Sequence, residues 1–424
     1  MNISRISNRL YGFYSLLLIA LFFYLNLNNL LNFQNFNLIV GLVLLFSLVL
    51  ISYFTMGVDL ITYVIFCIEL LVVPISIQFY SGRSYGLLGQ NILELHYPQF
   101  IEYTFIYCYL FLLICILFDY KSCEDKVKKV EFRKYSNLNI IFNNTIAFSF
   151  AIVAFPRLSL TVSATQRFSM LLPGHAWNQL AIVALLFNLP YLNKKISVKV
   201  TYLFVILWFL LNGERADITG LVLGIALYSL WKYKTVIQKQ SKSKKILLIP
   251  MVILFIFILN YIASIRNQDH ITFAQSIANI LVTPTTSDVS YIFNTVIDYF
   301  QKYSILNGTI FKTTLFSIIP FYDNNSFANL LSAIYPYPGG EPWLAQPLLD
   351  WGMVGLFISP FIDYLFFRFW ILKDNSFFKI EYIALLCLIP RAVWYGRSYT
   401  FTTLIFFVPL MYLMNLLILK LIRK

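Results

Sequence analysis

Apolar runs long enough to cross a lipid bilayer recur along the whole of this chain. They fall at roughly 10–31, 38–54, 60–80, 100–119, 139–156, 175–190, 198–212, 217–231, 246–263, 347–371, 380–397 and 400–420. A spanning helix needs about 17–25 residues, so the pattern predicts an all-α polytopic membrane protein with about 12 transmembrane helices. A water-soluble chain with an outsized core would not divide its apolar residues into separate runs of this length. Composition agrees, because only 12% of the 424 residues are charged while 59% are hydrophobic. That is too little charge for the surface of a soluble domain.

The first run follows Arg5 and Arg9 and continues through Ala20-Leu21-Phe22-Phe23-Tyr24 without a small-residue cleavage site, so it reads as a retained helix. The net charge of +13 is carried largely by lysines clustered between the runs. With a cytoplasmic N-terminus, Lys121–Lys134, Lys194–Lys199, Lys232–Lys245, Lys373–Lys379 and the tail Lys420–Lys424 all fall on one side. The positive-inside rule makes that side the cytoplasm, with both termini in it, and the charge then needs no nucleic-acid partner. The cysteines (Cys67, Cys108, Cys115, Cys123 and Cys387) have no metal-ligand spacing and predict no disulfide.

Arginine distributes differently. Arg83, Arg157, Arg167, Arg215, Arg266 and Arg397 map to the outer loops or helix ends, with Arg391 just below, whereas only Lys302 and Lys312 do so among the lysines. Orientation alone treats the two residue types alike. Arginine's planar fork suits bidentate contact with phosphate, so the set predicts an anionic substrate on the outer face. Snorkelling of single arginines to lipid headgroups is the alternative for each taken alone.

The longest stretch between runs, about 264–346, also maps outside. Val289, Ile292, Phe293, Val296, Ile297 and Phe300 recur at helical spacing, with Ser287 or Asp288 available as an N-cap. The reading is a large extracytoplasmic loop of short amphipathic helices over a cavity, within a single membrane domain covering 1–424.

Several segments there carry candidate chemistry. Asn212-Gly213-Glu214-Arg215-Ala216-Asp217 puts three charges between two apolar runs, a costly arrangement unless they pair or face a polar cavity. Asp217 is expected to cap the following helix and Glu214 to orient Arg215. Arg266 and His270 follow the ninth run on the same side, and two converging arginines would stabilise a departing anion. In Tyr335–Trp343, prolines and glycines hold Tyr337 and Trp343 beside Glu341, with exposed rings suited to stacking on a sugar. Glu341 is the first candidate base, His270 the second, and Asp350 follows. Intramembrane Glu69, Asp119 and Asp363 give only a weak proton-path pattern. No phosphate loop, nucleotide fingerprint, metal motif or nucleophile elbow is present, so no metal or cofactor is expected.

Two segments resemble the O-antigen and capsule repeat-unit polymerases of the Wzy type. Leu211-Asn212-Gly213-Glu214-Arg215-Ala216-Asp217-Ile218 is similar to that family's Gly-x-Arg turn at the head of an apolar helix. Gln346-Pro347-Leu348-Leu349-Asp350-Trp351-Gly352-Met353-Val354-Gly355 is similar to its acidic, aromatic, Gly-x-x-Gly segment after the large outer loop. Where the family often carries Glu ahead of the aromatic-Gly pair, this chain has Gln346, so no carboxylate role carries over there. The resemblance implies a membrane-embedded glycosyltransferase of C-type architecture in the bacterial inner membrane, active on its outer side. It would transfer a glycan from undecaprenyl pyrophosphate onto an incoming lipid-linked repeat unit, without metal, beside a flippase and a chain-length-regulating co-polymerase. Arg215 and Arg266 would hold the departing pyrophosphate, with Arg157, Arg167 and Arg397 at the second carrier or a charged sugar. A ligase moving glycan to a lipopolysaccharide core, or a flippase, are the competing classes. A flippase predicts internal repeats and deep cavity charges, which the sequence does not display.

Overall fold

The computed structural model describes residues 3–27, 37–81, 97–118, 131–158, 177–232, 258, 284–319, 326–336, 340–371 and 375–422. Among these residues the structure is all-helical, with no strand. The helices are α1 (Ile3–Leu27), α2 (Asn37–Met56), α3 (Leu60–Ser81), α4 (Tyr97–Leu117), α5 (Asn137–Ala154), α6 (Trp177–Asn188), α7 (Ile196–Leu211) and α8 (Arg215–Lys232). They continue with α9 (Pro284–Lys302), α10 (Thr309–Phe316), α11 (Ser326–Ser332), α12 (Ala345–Ile371), α13 (Ser376–Tyr395), α14 (Ser398–Phe401) and α15 (Val408–Ile422). Every apolar run becomes a helix except 246–263, which lies outside the described residues apart from Ile258.

Four stretches, Gln99–Leu117, Asn137–Ala154, Ala345–Trp370 and Ser398–Ile422, are long and apolar enough to cross a membrane. Arg9–Leu25, Gly41–Met56, Leu60–Val72 and Ile196–Leu211 are apolar but shorter. The helix surfaces fit a lipid solvent. On α7, Val198, Tyr202, Val205 and Phe209 are buried, while Ile196, Val200, Leu203 and Leu207 form an exposed apolar stripe at helical spacing. A helix apolar on both faces belongs in a bilayer when one of those faces has no protein against it.

The chain forms two compact units built from discontinuous segments. The first comprises Met1–Asp125, Thr286–Phe311 and Ser326–Leu372, and the second Lys126–Thr285, Lys312–Asn325 and Lys373–Lys424. In the first, α4 packs against α2 and α12. Asp363 of α12 accepts from Tyr107 of α4 at 2.5 Å and from the indole of Trp343 at 3.1 Å, so a buried carboxylate is satisfied across the pair. The stretch 264–346 contributes α9, α10 and α11 to the described residues. α9 starts at Pro284, whose missing N–H costs nothing in a first turn. Ser287 and Asp288 therefore lie inside the helix and not at its N-cap position. Asp298 of α9 holds Tyr335 at 2.6 Å and Lys302 at 2.9 Å. Burial first, and then the Asp298 carboxylate, push the Tyr335 phenol above its ordinary value, so it stays a donor.

In the second unit α8 runs antiparallel to α13. Asp217 meets Arg391 at one end, and Trp231 meets Tyr382 toward the other. The helices approach closely because Gly220 and Gly224 face Cys387. A Cβ at Gly220 would lie 1.9 Å from the Cys387 carbonyl oxygen, and one at Gly224 would lie 2.8 Å from its backbone nitrogen. This is the small-xxx-small device of membrane helix pairs. A ladder of asparagines ties α5, α6 and α15 together. Asn143 donates to Asn188 and Asn415 at 3.1 Å each, and Asn415 donates back to Asn143 at 2.9 Å. Asn139 donates to the Asn415 carbonyl at 2.8 Å, and Asn188 to the Ile140 carbonyl at 3.0 Å.

Candidate functional site

The two ends of the second unit differ in charge. At one end Tyr191 binds both backbone groups of Tyr135, Arg133 reaches Tyr412, and Lys379 lies 4.7 Å over the Phe132 ring. Lys134, Lys194, Lys195, Lys232 and Lys420 belong to the same helix ends. At the other end are Arg157, Glu214, Arg215, Asp217, Arg391 and Arg397.

Local geometry explains why the charges of 212–217 gather. Asn212 caps α7, and Gly213 turns the chain at φ 71°. The Glu214 N–H bonds Phe209 O at 2.9 Å and the Gly213 N–H bonds Leu210 O at 2.9 Å, the paired bonds of a glycine-terminated helix. Glu214 thus stands at the head of α8. Asp217 was expected to cap α8, but the helix begins two residues earlier and Asp217 lies in its first turn. An acid there also faces the positive end of the helix dipole.

The partner of both acids is Arg391, not an arginine of the same turn. Its Nη1 donates to Glu214 Oε2 at 3.0 Å and to Asp217 Oδ2. Asn178 Nδ2 donates to that same Asp217 oxygen. The rings of Tyr395 and Tyr399 flank the guanidinium, 4.8 and 4.5 Å from Cζ. Beside Asn178, Gln179 Oε1 accepts from Thr403 at 2.5 Å. Thr403 sits in a π-helical turn, Thr402–Phe407, a widened geometry frequent at functional sites. Asn178, Gln179, Asp217 and Arg391 form the buried floor of this cluster, and Glu214, Tyr395 and Tyr399 its partly exposed rim, while Arg397 is buried and Arg215 partly exposed at the same end of the unit. Arg391, predicted as a substrate-binding residue, is therefore already engaged by two carboxylates.

The other predicted residues divide as follows. Arg157 is exposed beyond the end of α5. Arg397 is buried and accepts through its carbonyl from Thr400 at 2.6 Å. In the first unit, Trp343 corrects the expectation of an exposed ring. It is 2% exposed, stacks on Phe367, and donates to Tyr107 at 2.8 Å. Glu341 is half-buried and Gln346 buried. Asp350 is corrected too. Buried completely, it accepts from the backbone N–H groups of Ile310 at 2.9 Å and Phe311 at 2.6 Å. It caps the first turn of α10 instead of standing at a mouth. Arg83, Arg167, Arg266, His270 and Tyr337 lie outside the described residues.

The aromatic-Gly-x-x-Gly segment is a backbone device. Gly352 breaks α12 with φ 60° and ψ −145°, and the chain folds back until a Cβ at Gly355 would lie 2.0 Å from Pro347 O. Trp351 packs on Phe311 and Asp350 ties down α10, so the motif fixes α10 against the start of α12. Asp350→Ala should lower stability by about 1–3 kcal/mol, the cost of orphaned buried donors, and Asp350→Asn by less. Hydrogen exchange at Ile310 and Phe311 should speed up in step, and unchanged protection would refute the capping role.

Asn178, Gln179, Thr403, Tyr395 and Tyr399 were not foreseen. The available signal was a pair of amides opening an apolar run at Asn178-Gln179.

No family model matches this chain. Neither the curated proteins nor the solved structures give a significant match.

Proposed function

We propose that this chain is a bacterial inner-membrane glycosyltransferase that polymerises undecaprenyl-pyrophosphate-linked repeat units into O-antigen or capsular polysaccharide. In this reading it has about 12 transmembrane helices, both termini in the cytoplasm, and its site on the outer side. The observation carrying it is the Glu214–Asp217–Arg391 cluster, at the end of the second unit opposite the lysines. The positive-inside rule supports assigning the lysine end to the cytoplasm and the cluster to the outer side. The segment that builds the cluster is the one similar to the polymerases' Gly-x-Arg turn.

The chemistry follows from those groups. Glu214 is oriented through one oxygen by Arg391 and stands at the rim, so its carboxylate takes the proton from an acceptor hydroxyl. The acceptor oxygen bonds the anomeric carbon, the bond to the carrier diphosphate breaks, and its electron pair leaves with the diphosphate. Arg215, next to Glu214 in the chain, and Arg266 stabilise that leaving charge. Glu341 and His270 remain the alternative bases.

Surface glycan from cells lacking the protein, complemented with wild type or well-expressed Glu214→Gln, Arg215→Ala or Arg266→Ala, tests this reading on a gel. The expected result is loss of the long ladder, with a single repeat unit still attached and unrestored by Glu214→Gln or Arg215→Ala. Absence of all attached glycan would instead point to a ligase or flippase, and full rescue by every variant would remove the mechanism.

A further inference from the structure

The floor of the cluster contains two buried donors whose acceptors are not among the described residues. One is the Arg391 Nε–H and the other the Gln179 side-chain amide. Gln179 is 0% exposed, and its oxygen is already used by Thr403, so the amide nitrogen is held in one direction. Buried polar groups are paired in native structures, and an orphan donor beside a half-exposed rim calls for an acceptor oxygen supplied from outside.

Charge selects among acceptors. Within the contacts of Arg391, two carboxylates, Glu214 and Asp217, face one positive charge, so the immediate surroundings of its guanidinium are net negative. A diphosphate would be repelled by both acids, and Arg391 has already spent its Nη1 on them. A neutral, oxygen-rich ring meets no such penalty. Its hydroxyl or acetamido oxygens accept from Gln179 and Arg391 Nε, its own O–H groups donate to Glu214, and Tyr395 and Tyr399 offer ring faces at the rim. We infer that Gln179, with Arg391 and the two rim tyrosines, forms a subsite for an uncharged sugar ring, and that the diphosphate binds outside this subsite, at the arginines the mechanism assigns to it. The inference rests on the proposed glycosyl-transfer reading and adds the division between sugar and phosphate within it.

Saturation-transfer NMR on the full-length protein in detergent tests the subsite directly. The probes are a panel of neutral methyl glycosides, including an N-acetylhexosamine, together with inorganic pyrophosphate as competitor. At least one glycoside should give a transfer signal that pyrophosphate does not displace. Gln179→Leu should weaken it about tenfold, the effect of one lost buried hydrogen bond. Thr403→Val, which frees the amide to rotate, should weaken it less. Thermal unfolding of each variant near the wild-type temperature establishes that the fold survives, and Gln179→Glu serves as the substitute if leucine unfolds the protein. No signal from any glycoside, an undiminished signal in both Gln179 variants, or displacement by pyrophosphate would each overturn the inference. The outcome separates from that of the gel. A sugar signal lost in Gln179→Leu from a protein that builds no ladder keeps the subsite and removes the polymerase. A full ladder from Gln179→Leu does the reverse.

Discussion

Arg391→Ala is expected to destabilise the second unit by about 3–5 kcal/mol, the cost of leaving buried charge without its partner. Asp217 is the reason. It is 1% exposed, and its ionic partner is Arg391, with Asn178 donating to the same oxygen. Arg391→Lys should recover only part of the loss, since an ammonium lacks the planar group that lies between the Tyr395 and Tyr399 rings while its Nη1 reaches both acids. The informative variant is Asp217→Asn with Arg391→Met. Removing both charges should restore most of the stability, because a buried ion pair contributes little over an apolar replacement of similar volume. If the proposed polymerase reading holds, glycan polymerisation should stay lost. Thermal unfolding in detergent reads the first effect and the surface-glycan ladder the second. An Arg391→Ala protein as stable as wild type would show that the cluster is not the keystone of its unit.

Gly220→Leu should be the most damaging change to an uncharged residue. The added Cβ alone meets a backbone carbonyl at 1.9 Å, and backbone cannot rotate away as a side chain can. Overpacking costs about 1–3 kcal/mol, and the upper end is expected here because α8 and α13 must separate along their length. Asp217 lies one turn from Gly220 on the same helix, so separation also pulls it from Arg391. Thermal unfolding checks the stability. Leu230→Ala, on an exposed position of α8, should change little and serves as the control. Equal tolerance at the two positions would contradict the close packing.

How far the sequence could be read depended on the range of the signal. Helices were legible because apolar runs are local, and α7 and α8 appear within two residues of their predicted limits. Glu214 and Asp217 were legible as a problem, charges too costly to stand alone, but their partner lies 177 and 174 residues away and no local pattern announces it. Asp350 misled for the opposite reason. An acid before an aromatic-glycine pair looks catalytic, yet its ligands are the N–H groups of Ile310 and Phe311, set by a fold in α12. Trp343 misled because proline and glycine around it suggested surface. Its indole instead turns inward to Tyr107 and Asp363. The asparagine ladder was overlooked although Asn139 and Asn143, four apart in an apolar run, mark one polar stripe on a helix.

That ladder bears on how the protein is made. Asn139 bonds to Asn415 across 276 residues of chain. At about 5–20 residues per second, α5 waits roughly 14–55 s after its own synthesis before α15 exists. Through that interval its amides sit in lipid without Asn415. Each unreleased chain is thus an incomplete bundle with polar groups on show, and membrane quality control could recognise it by them. Arrival of α15 covers those groups, so it acts as a checkpoint on assembly of this bundle as well as a structural brace.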